Sequence, residues 1–262
     1  ATEYKCDPNG DGTTTEGAAL AIAQHTTKKD IGVTIKGGTF NGIKALNESN
    51  PQNNDPAPQV DLKVTDGTFN GDVSITDDKN TSISGGTFTS DVSAYVPNGY
   101  IQNENGAVET LGETNAVAKV GGTYYKTLAD AVAAAQDGDT ITLLKDCSSE
   151  RVNLESKCIT IDLNGNTLTS TSAYGVMFCT KNGHKITVNG TKEGSKLVGT
   201  LMVTNGTDGH IEINGGTYES SQYCPIYING AVSSENSTLT VKNATITASN
   251  SGSNQDMGCG VY

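Results

Sequence analysis

Gly37-Gly38-Thr39-Phe40, Asp66-Gly67-Thr68-Phe69, Gly85-Gly86-Thr87-Phe88 and Gly215-Gly216-Thr217-Tyr218 write one phrase four times in a chain of 262 residues, each copy following an alternating apolar and polar run. Self-similarity at spacings of roughly 20 to 30 residues is the mark of a solenoid, because one short unit cannot bury its apolar face alone and stacked copies can. The runs ahead of the first three copies are Val33-Thr34-Ile35, Leu62-Lys63-Val64 and Ser82-Ile83-Ser84. In a parallel coil the side chains of one level lie about 4.8 Å from those of the next. Ile35, Val64 and Ile83 are therefore expected to form one inward stack and Phe40, Phe69 and Phe88 another. The glycines mark the bend between faces, where a Cβ obstructs the turn.

The later half repeats the plan in Ile159-Thr160-Ile161-Asp162-Leu163-Asn164-Gly165, Lys185-Ile186-Thr187-Val188-Asn189-Gly190, Ile211-Glu212-Ile213-Asn214-Gly215 and Leu239-Thr240-Val241-Lys242-Asn243. Asn recurs at what reads as one corner, and Asn tolerates left-handed turns, so a stacked Asn corner is expected. The same richness in Asn and Thr accounts for six glycosylation-like sequons, at Asn47, Asn80, Asn189, Asn205, Asn236 and Asn243. Between the two sets of coils, Thr127-Leu128-Ala129-Asp130-Ala131-Val132-Ala133-Ala134-Ala135-Gln136 has helical spacing. Thr127 is its N-cap, Asp130 lies near its positive end, and Leu128, Ala131, Val132 and Ala135 share a face. A helix there closes the first coil of a stack, which otherwise exposes its core and an unpaired edge. The chain thus divides into residues 1–115, the closing coils of one solenoid, and residues 116–262, a cap helix and the opening coils of a second.

Composition fits this plan. Only 34% of residues are hydrophobic and 5% aromatic, with no Trp, enough for a narrow axial ladder but not for a thick core. The 29 acidic residues outweigh 17 basic ones for a net charge of −12, and no stretch clusters Lys or Arg with aromatics, which argues against nucleic acid. No apolar run reaches the ~20 residues that cross a bilayer, so no membrane insertion is expected within this chain. Six cysteines lack the paired short spacing of a zinc site. Cys224-Pro225-Ile226-Tyr227 and Cys259-Gly260-Val261-Tyr262 align as neighbouring rungs, so Cys224 and Cys259 either form a disulfide or stack as thiols.

The run Val117-Ala118-Lys119-Val120-Gly121-Gly122-Thr123-Tyr124-Tyr125, the helix, and Asp137-Gly138-Asp139-Thr140-Ile141-Thr142-Leu143-Leu144-Lys145-Asp146 together resemble the opening of large repetitive surface proteins of Gram-positive gut bacteria. The Gly-Gly-Thr-Phe coils and the ending Ser90 to Tyr100 are similar to closing segments of the same proteins. The resemblance implies an all-β fold, a right-handed parallel β-helix of the pectate-lyase-like superfamily, with one short capping α-helix near 127–136. It also implies a secreted or cell-surface location, and a superfamily that holds polysaccharide lyases and hydrolases beside adhesins and fibres.

Catalytic residues are sparse. Uronate lyases of that fold combine acidic calcium ligands with a basic proton acceptor, and this chain has one Arg, Arg151, in a turn of a coil. The carboxylate pairs Asp77-Asp78, Asp61 with Asp66 and Asp137 with Asp139 read as polar loops and turns, and His25, His184 and His210 stand alone. Asp7-Pro8-Asn9-Gly10-Asp11-Gly12-Thr13 has the alternating oxygen donors of a calcium loop at Asp7, Asn9, Asp11 and Thr13, but Ala18 stands where a bidentate acid is expected. Calcium is thus the one cofactor the sequence suggests, and plain turn chemistry explains the same letters. A loop, Asn50 to Pro58, and the tyrosines Tyr95, Tyr100, Tyr223 and Tyr227 are candidates for a ligand surface. The expected function is a non-catalytic extracellular stalk, adhesin or filament subunit whose partners are copies of itself, head to tail, and host or bacterial glycans. The alternative is a carbohydrate-active module that binds or cleaves polysaccharide.

Overall fold

A computed structural model describes residues 17–24, 29–51, 53, 55, 60–76, 80–154, 156–203, 208–220, 222–228, 236–248 and 261. They form parallel β-solenoid coils in two compact units, Ala1–Leu111 and Gly112–Tyr262, with one α-helix among the described residues.

The first unit runs β1 (Ala18–Ala23), β2 (Ile31–Ser49), β3 (Val60–Ile75), β4 (Thr81–Ile83) and β5 (Thr87–Phe88), followed by a 3-10 turn, Ser93–Tyr95, and the strands β6 (Tyr100–Gln102) and β7 (Val108–Thr110). Strands β1 to β4 pair in parallel in chain order and β5 pairs with β3. The expected stacks are present: Ile35 faces Val64 and Val64 faces Ile83, while Phe40, Phe69 and Phe88 stand in register. Neighbouring phenylalanine rings lie 4.8 and 4.5 Å apart, inclined by only 6° and 5°, so each ring repeats the last by simple translation at the strand spacing. The last glycine before each Thr has a positive φ, 108° at Gly38, 131° at Gly67 and 98° at Gly86, which fixes the phrase wherever the chain bends between faces. At the third face a wholly buried carboxylate, Glu48, accepts from Gln24 Nε2 and from the Thr76 amide, both at 2.8 Å, joining three successive levels.

The last coil of this unit is closed by a hairpin, where the sequence gives only an ending, Ser90 to Tyr100. Strands β6 and β7 pair antiparallel, Phe88 N donates to Gly106 O at 2.9 Å and Val108 N to Gly86 O at 2.8 Å. The free edge of β5 is thereby satisfied.

The second unit opens with another antiparallel hairpin, β8 (Ala118–Val120) and β9 (Thr123–Tyr125), and the helix α1 (Leu128–Ala134). Thr127 Oγ1 accepts from Asp130 N at 3.0 Å as the expected N-cap, and Leu128, Ala131, Val132 and Ala135 are buried. The helix stops two residues earlier than its spacing suggests, because Ala135 turns to an extended backbone. Lys157 Nζ then donates to the carbonyls of Val132 and Ala135, supplying a cation to the negative end.

Five coils follow: β10 (Thr140–Leu143), β11 (Cys147–Ser149) and β12 (Val152–Leu154); β13 (Ile159–Asp162), β14 (Thr167–Ser170) and β15 (Val176–Thr180); β16 (Lys185–Gly190), β17 (Lys196–Val198) and β18 (Thr200–Val203); β19 (His210–Gly215), β20 (Thr217–Ser220) and β21 (Ile226–Ile228); and β22 (Thr238–Lys242) with β23 (Thr245–Ala248). They make three parallel sheets, β10-β13-β16-β19-β22, β11-β14-β17-β20-β23 and β12-β15-β18-β21, and β8 joins the first of them antiparallel beside β10. Leu168, Leu197 and Tyr218 form one inward column, and Ile141, Ile161, Val188 and Ile213 another, all 0% exposed.

The stacked Asn corner needs correction. In register, Asp162, Asn189, Asn214 and Lys242 share one column, so only Asn189 and Asn214 stack, with Asn214 Nδ2 donating to Asn189 Oδ1 at 3.0 Å. Asn164 and Asn243 lie beyond that column with φ of 50° and 51°, as left-handed turn residues. The inward apolar ladder sets the register, and the turns after it vary in length.

Candidate functional site

In the first unit, a groove of about 610 Å3 lies where the last coil meets its closing hairpin. Thr87, Thr89 and Ser90 form its coil wall, Asn103, Glu104 and Asn105 its hairpin wall, and Phe88 contributes the apolar element between them. Gln102 ties the walls together: its Oε1 accepts from Val92 N at 2.8 Å and its Nε2 donates to Ser90 O at 2.9 Å. The hairpin turn is held from within, since Asn103 Oδ1 accepts from the amides of Asn105 and Ala107 at 3.0 and 3.1 Å. Asp91 accepts from the hydroxyl and amide of Ser93, which hold its carboxyl below the usual carboxylate range, the hydroxyl most strongly. Thr89 Oγ1 accepts from Gly71 N at 2.9 Å, while Ser90 Oγ is buried with no hydrogen-bond partner.

The groove is lined by hydroxyls, amides and two carboxylates, Asp91 and Glu104, with no Lys, Arg or His. Such a wall repels anions and offers hydrogen bonds in both senses to a neutral polyol, with Phe88 supplying an apolar surface. It has no basic side chain positioned to take a proton from carbon.

The residues singled out from the sequence do not gather here. Arg151 is in the second unit, exposed, with Nε donating to Asn153 Oδ1 at 2.9 Å. Asp61 pairs with Lys63 at 2.9 Å, and Asp66 Oδ1 accepts from Gly67 N at 2.7 Å in the bend. Asp137 Oδ1 accepts from Cys158 N and Asp139 Oδ2 from Gln136 N, both in the turn leaving the helix. His184 Nδ1 contacts Lys181 O at 3.0 Å, and His210 Nδ1 contacts Thr238 Oγ1 of the next rung at 2.8 Å. Tyr95 and Tyr100 pack on the core of the first unit. Tyr223 instead meets Tyr174, unnoticed in the sequence and 64% exposed, edge to face at 6.2 Å.

Asp7, Asn9, Asp11 and Thr13 lie outside the described residues, as do His25, Asp77, Asp78 and Cys259. Cys224 is buried, and Ile226 bridges Val261 in parallel. Among the described residues no group of three or more His, Cys, Asp or Glu is placed to hold a metal ion. The groove itself was within reach of sequence reasoning: Asn105-Gly106 between Tyr100-Ile101 and Val108 is a hairpin signal. No family model matches the chain, and neither a curated protein nor a solved structure matches it.

Proposed function

We propose that this chain is a non-catalytic extracellular structural module, a stalk or filament subunit of a secreted or surface-attached protein, which assembles head to tail with its own copies. The observation that carries this reading is where the polar residues are used. Asp66, Asp137, Asp139, Asn164 and Asn214 all hold turns or neighbouring rungs, so the repeating chemistry is consumed by the scaffold. The resemblance to repetitive Gram-positive surface proteins, and through them to right-handed pectate-lyase-like helices, agrees with it. Negative-stain electron microscopy and light scattering test the reading: concentration-dependent fibres without glycan turnover support it, and monomers at every concentration refute it. Calcium at Asp7, Asn9, Asp11 and Thr13 and a Cys224–Cys259 bridge belong to the same proposal. Calcium calorimetry and mass spectrometry after thiol alkylation check them.

One observation favours a second reading, a carbohydrate-binding module. The hydroxyls and amides of the groove, with Asp91 and Glu104 and no basic side chain, suit a neutral glycan. Binding on a glycan array that Glu104→Ala or Asn103→Ala removes supports it, and release of reducing sugar would move the reading toward an enzyme.

A further inference from the structure

Eight Asn-Gly pairs lie within the described residues, at Asn41, Asn70, Asn98, Asn105, Asn164, Asn182, Asn189 and Asn214. This dipeptide is chemically labile. The amide nitrogen of the glycine attacks the asparagine Cγ, and a glycine has no Cβ to shield the approach. The fold restrains seven of the eight. Gly71 N donates to Thr89 Oγ1 at 2.9 Å, Gly106 N to Asn103 O at 2.9 Å, Gly165 N to Ser195 Oγ at 2.9 Å and Gly183 N to Asp208 O at 3.0 Å. Asn41, Asn189 and Asn214 stand inside paired strands, and their side chains are tied across rungs. Asn70 Nδ2 donates to Asn41 Oδ1 at 2.7 Å, and Asn214 Nδ2 donates to Asn189 Oδ1 at 3.0 Å.

Asn98-Gly99 is the exception. It forms the exposed centre of a turn from Pro97 to Tyr100, closed by Tyr100 N donating to Pro97 O at 3.2 Å, with Gly99 at a φ of 85°. Neither the Asn98 side chain nor Gly99 N has a hydrogen-bond partner among the described residues. Nothing lies within 4 Å of the place a Cβ on Gly99 would take, so a ring closing there meets no obstacle. The turn also sits where the first unit is pinned. Val96 ahead of it is buried, and Tyr100 behind it opens β6 and packs on the core. Gly99 O accepts from Leu111 N at 2.8 Å at the base of the closing hairpin.

We propose that Asn98 is a site of spontaneous isoaspartate formation and that this modification releases the hairpin closing the first unit. Gly99 N attacks Asn98 Cγ, the new C–N bond closes a five-membered imide, and the side-chain nitrogen takes the glycine proton and leaves as ammonia. Water then opens the imide at either carbonyl. Opening at the side-chain carbonyl leaves an ordinary aspartate. Opening at the backbone carbonyl leaves isoaspartate, in which the main chain runs through Cβ and Cγ and the former backbone carbonyl becomes a free carboxylate. One water enters, one ammonia departs, and nothing is oxidised or reduced. Isoaspartate therefore lengthens the main chain by one atom between Val96 and Tyr100. So short a turn cannot take up that atom and keep both Tyr100 N on Pro97 O and Leu111 N on Gly99 O, so β6 loses its register with β7. The same hairpin carries the bonds from Phe88 N to Gly106 O and from Val108 N to Gly86 O, and the edge of β5 opens with it.

The test ages the full chain in neutral buffer and follows its Asn-Gly peptides by mass spectrometry, with electron-transfer fragmentation to separate isoaspartate from aspartate. A glycine amide that must first give up a hydrogen bond is slowed by about threefold to tenfold, so Asn98 should convert faster than the other seven by at least that factor. Hydrogen exchange in the aged protein should then rise at Thr87, Phe88 and Val108 to Thr110 relative to fresh protein. Asn98→Gln, whose longer side chain closes such a ring far more slowly, should abolish both changes and leave exchange in the fresh protein unaltered. If another of the eight converts first, the assignment to Asn98 fails. If Asn98 converts while Phe88 and Val108 keep their protection, release of the hairpin is refuted. Aged Asn98→Gln that loses this protection as fast as the unaltered chain would overturn the proposal as well, because the hairpin then opens by another route.

Discussion

Phe69→Ala should be the most damaging single truncation in the first unit, and the reason is its place in a one-dimensional stack. Phe69 is 0% exposed and has a ring on each side, Phe40 at 4.8 Å and Phe88 at 4.5 Å. Truncating a buried Phe costs about 3–5 kcal/mol in transfer and cavity terms, and each lost ring contact adds roughly 0.5–1.5 kcal/mol. Partial collapse of the cavity offsets some of this, so about 4–5 kcal/mol is expected. Phe40 is half-buried and has one ring neighbour among the described residues, so Phe40→Ala should cost about 2 kcal/mol. In a solenoid each level is held only by its neighbours, so the damage should remain within the first unit. Urea denaturation followed by far-ultraviolet circular dichroism gives the sizes, and hydrogen exchange with mass spectrometry gives the place. Protection should fall across β2, β3 and β5 and remain across β13 to β21. Equal costs for the two alanine variants, or loss of protection spread evenly over both units, would refute the nearest-neighbour argument.

Glu48→Ala should cost about 2–4 kcal/mol, because it strips the acceptor from the buried Gln24 amide and the Thr76 N–H, and Glu48→Gln should recover part of that in the same urea titration. Gly106→Ala should open the closing hairpin, since a Cβ there would meet Phe88 O at 2.0 Å in a backbone with φ of 82°; faster exchange at Thr87 and Phe88 is the readout. Lys157→Met should lower the stability of the second unit by about 1–2 kcal/mol by leaving the carbonyls of Val132 and Ala135 without their donor, measured by exchange in α1. Burial pushes the Cys147 thiol up from 9.0 to about 11, with Asp146 adding to the effect. The unfolded chain therefore loses this proton first: the contribution is intact below pH 9 and is lost as pH rises from about 9 to about 11. Cys147→Ala should flatten the decline in melting temperature over that window.

The inward ladder was legible because it depends on residue type alone. Ile35, Val64 and Ile83, with their phenylalanine companions, could be aligned by eye, and Thr127 announced a helix start with a side chain that caps few other structures as well. The Asn corner was misread because letters were aligned without the turns between them. Four residues, 163–166, separate β13 from β14, five, 191–195, separate β16 from β17, and only Gly216 stands between β19 and β20. The wall of apolar side chains keeps its register through these changes, and the polar residues at the corner shift to fit. The closing hairpin and its groove escaped notice because Tyr100-Ile101-Gln102 and Val108-Glu109-Thr110 are too short for periodicity to stand out, although Asn105-Gly106 carried the turn. Carboxylates such as Asp137 and Asp139 gave no site, because turn chemistry and site chemistry draw on the same side chains.

The two caps also impose an order in time. In the second unit the hairpin and helix span residues 118–134, contacts of short sequence separation that form quickly and precede every coil they support. As the chain leaves the ribosome, each new rung meets a finished template and can be added singly, without waiting for a distant partner. In the first unit the closing hairpin emerges last, after all the strands it covers. Its early rungs must persist without that cap during synthesis, which makes the stretch from Ile31 to Ile75 the place where kinetic competition between folding and aggregation is decided.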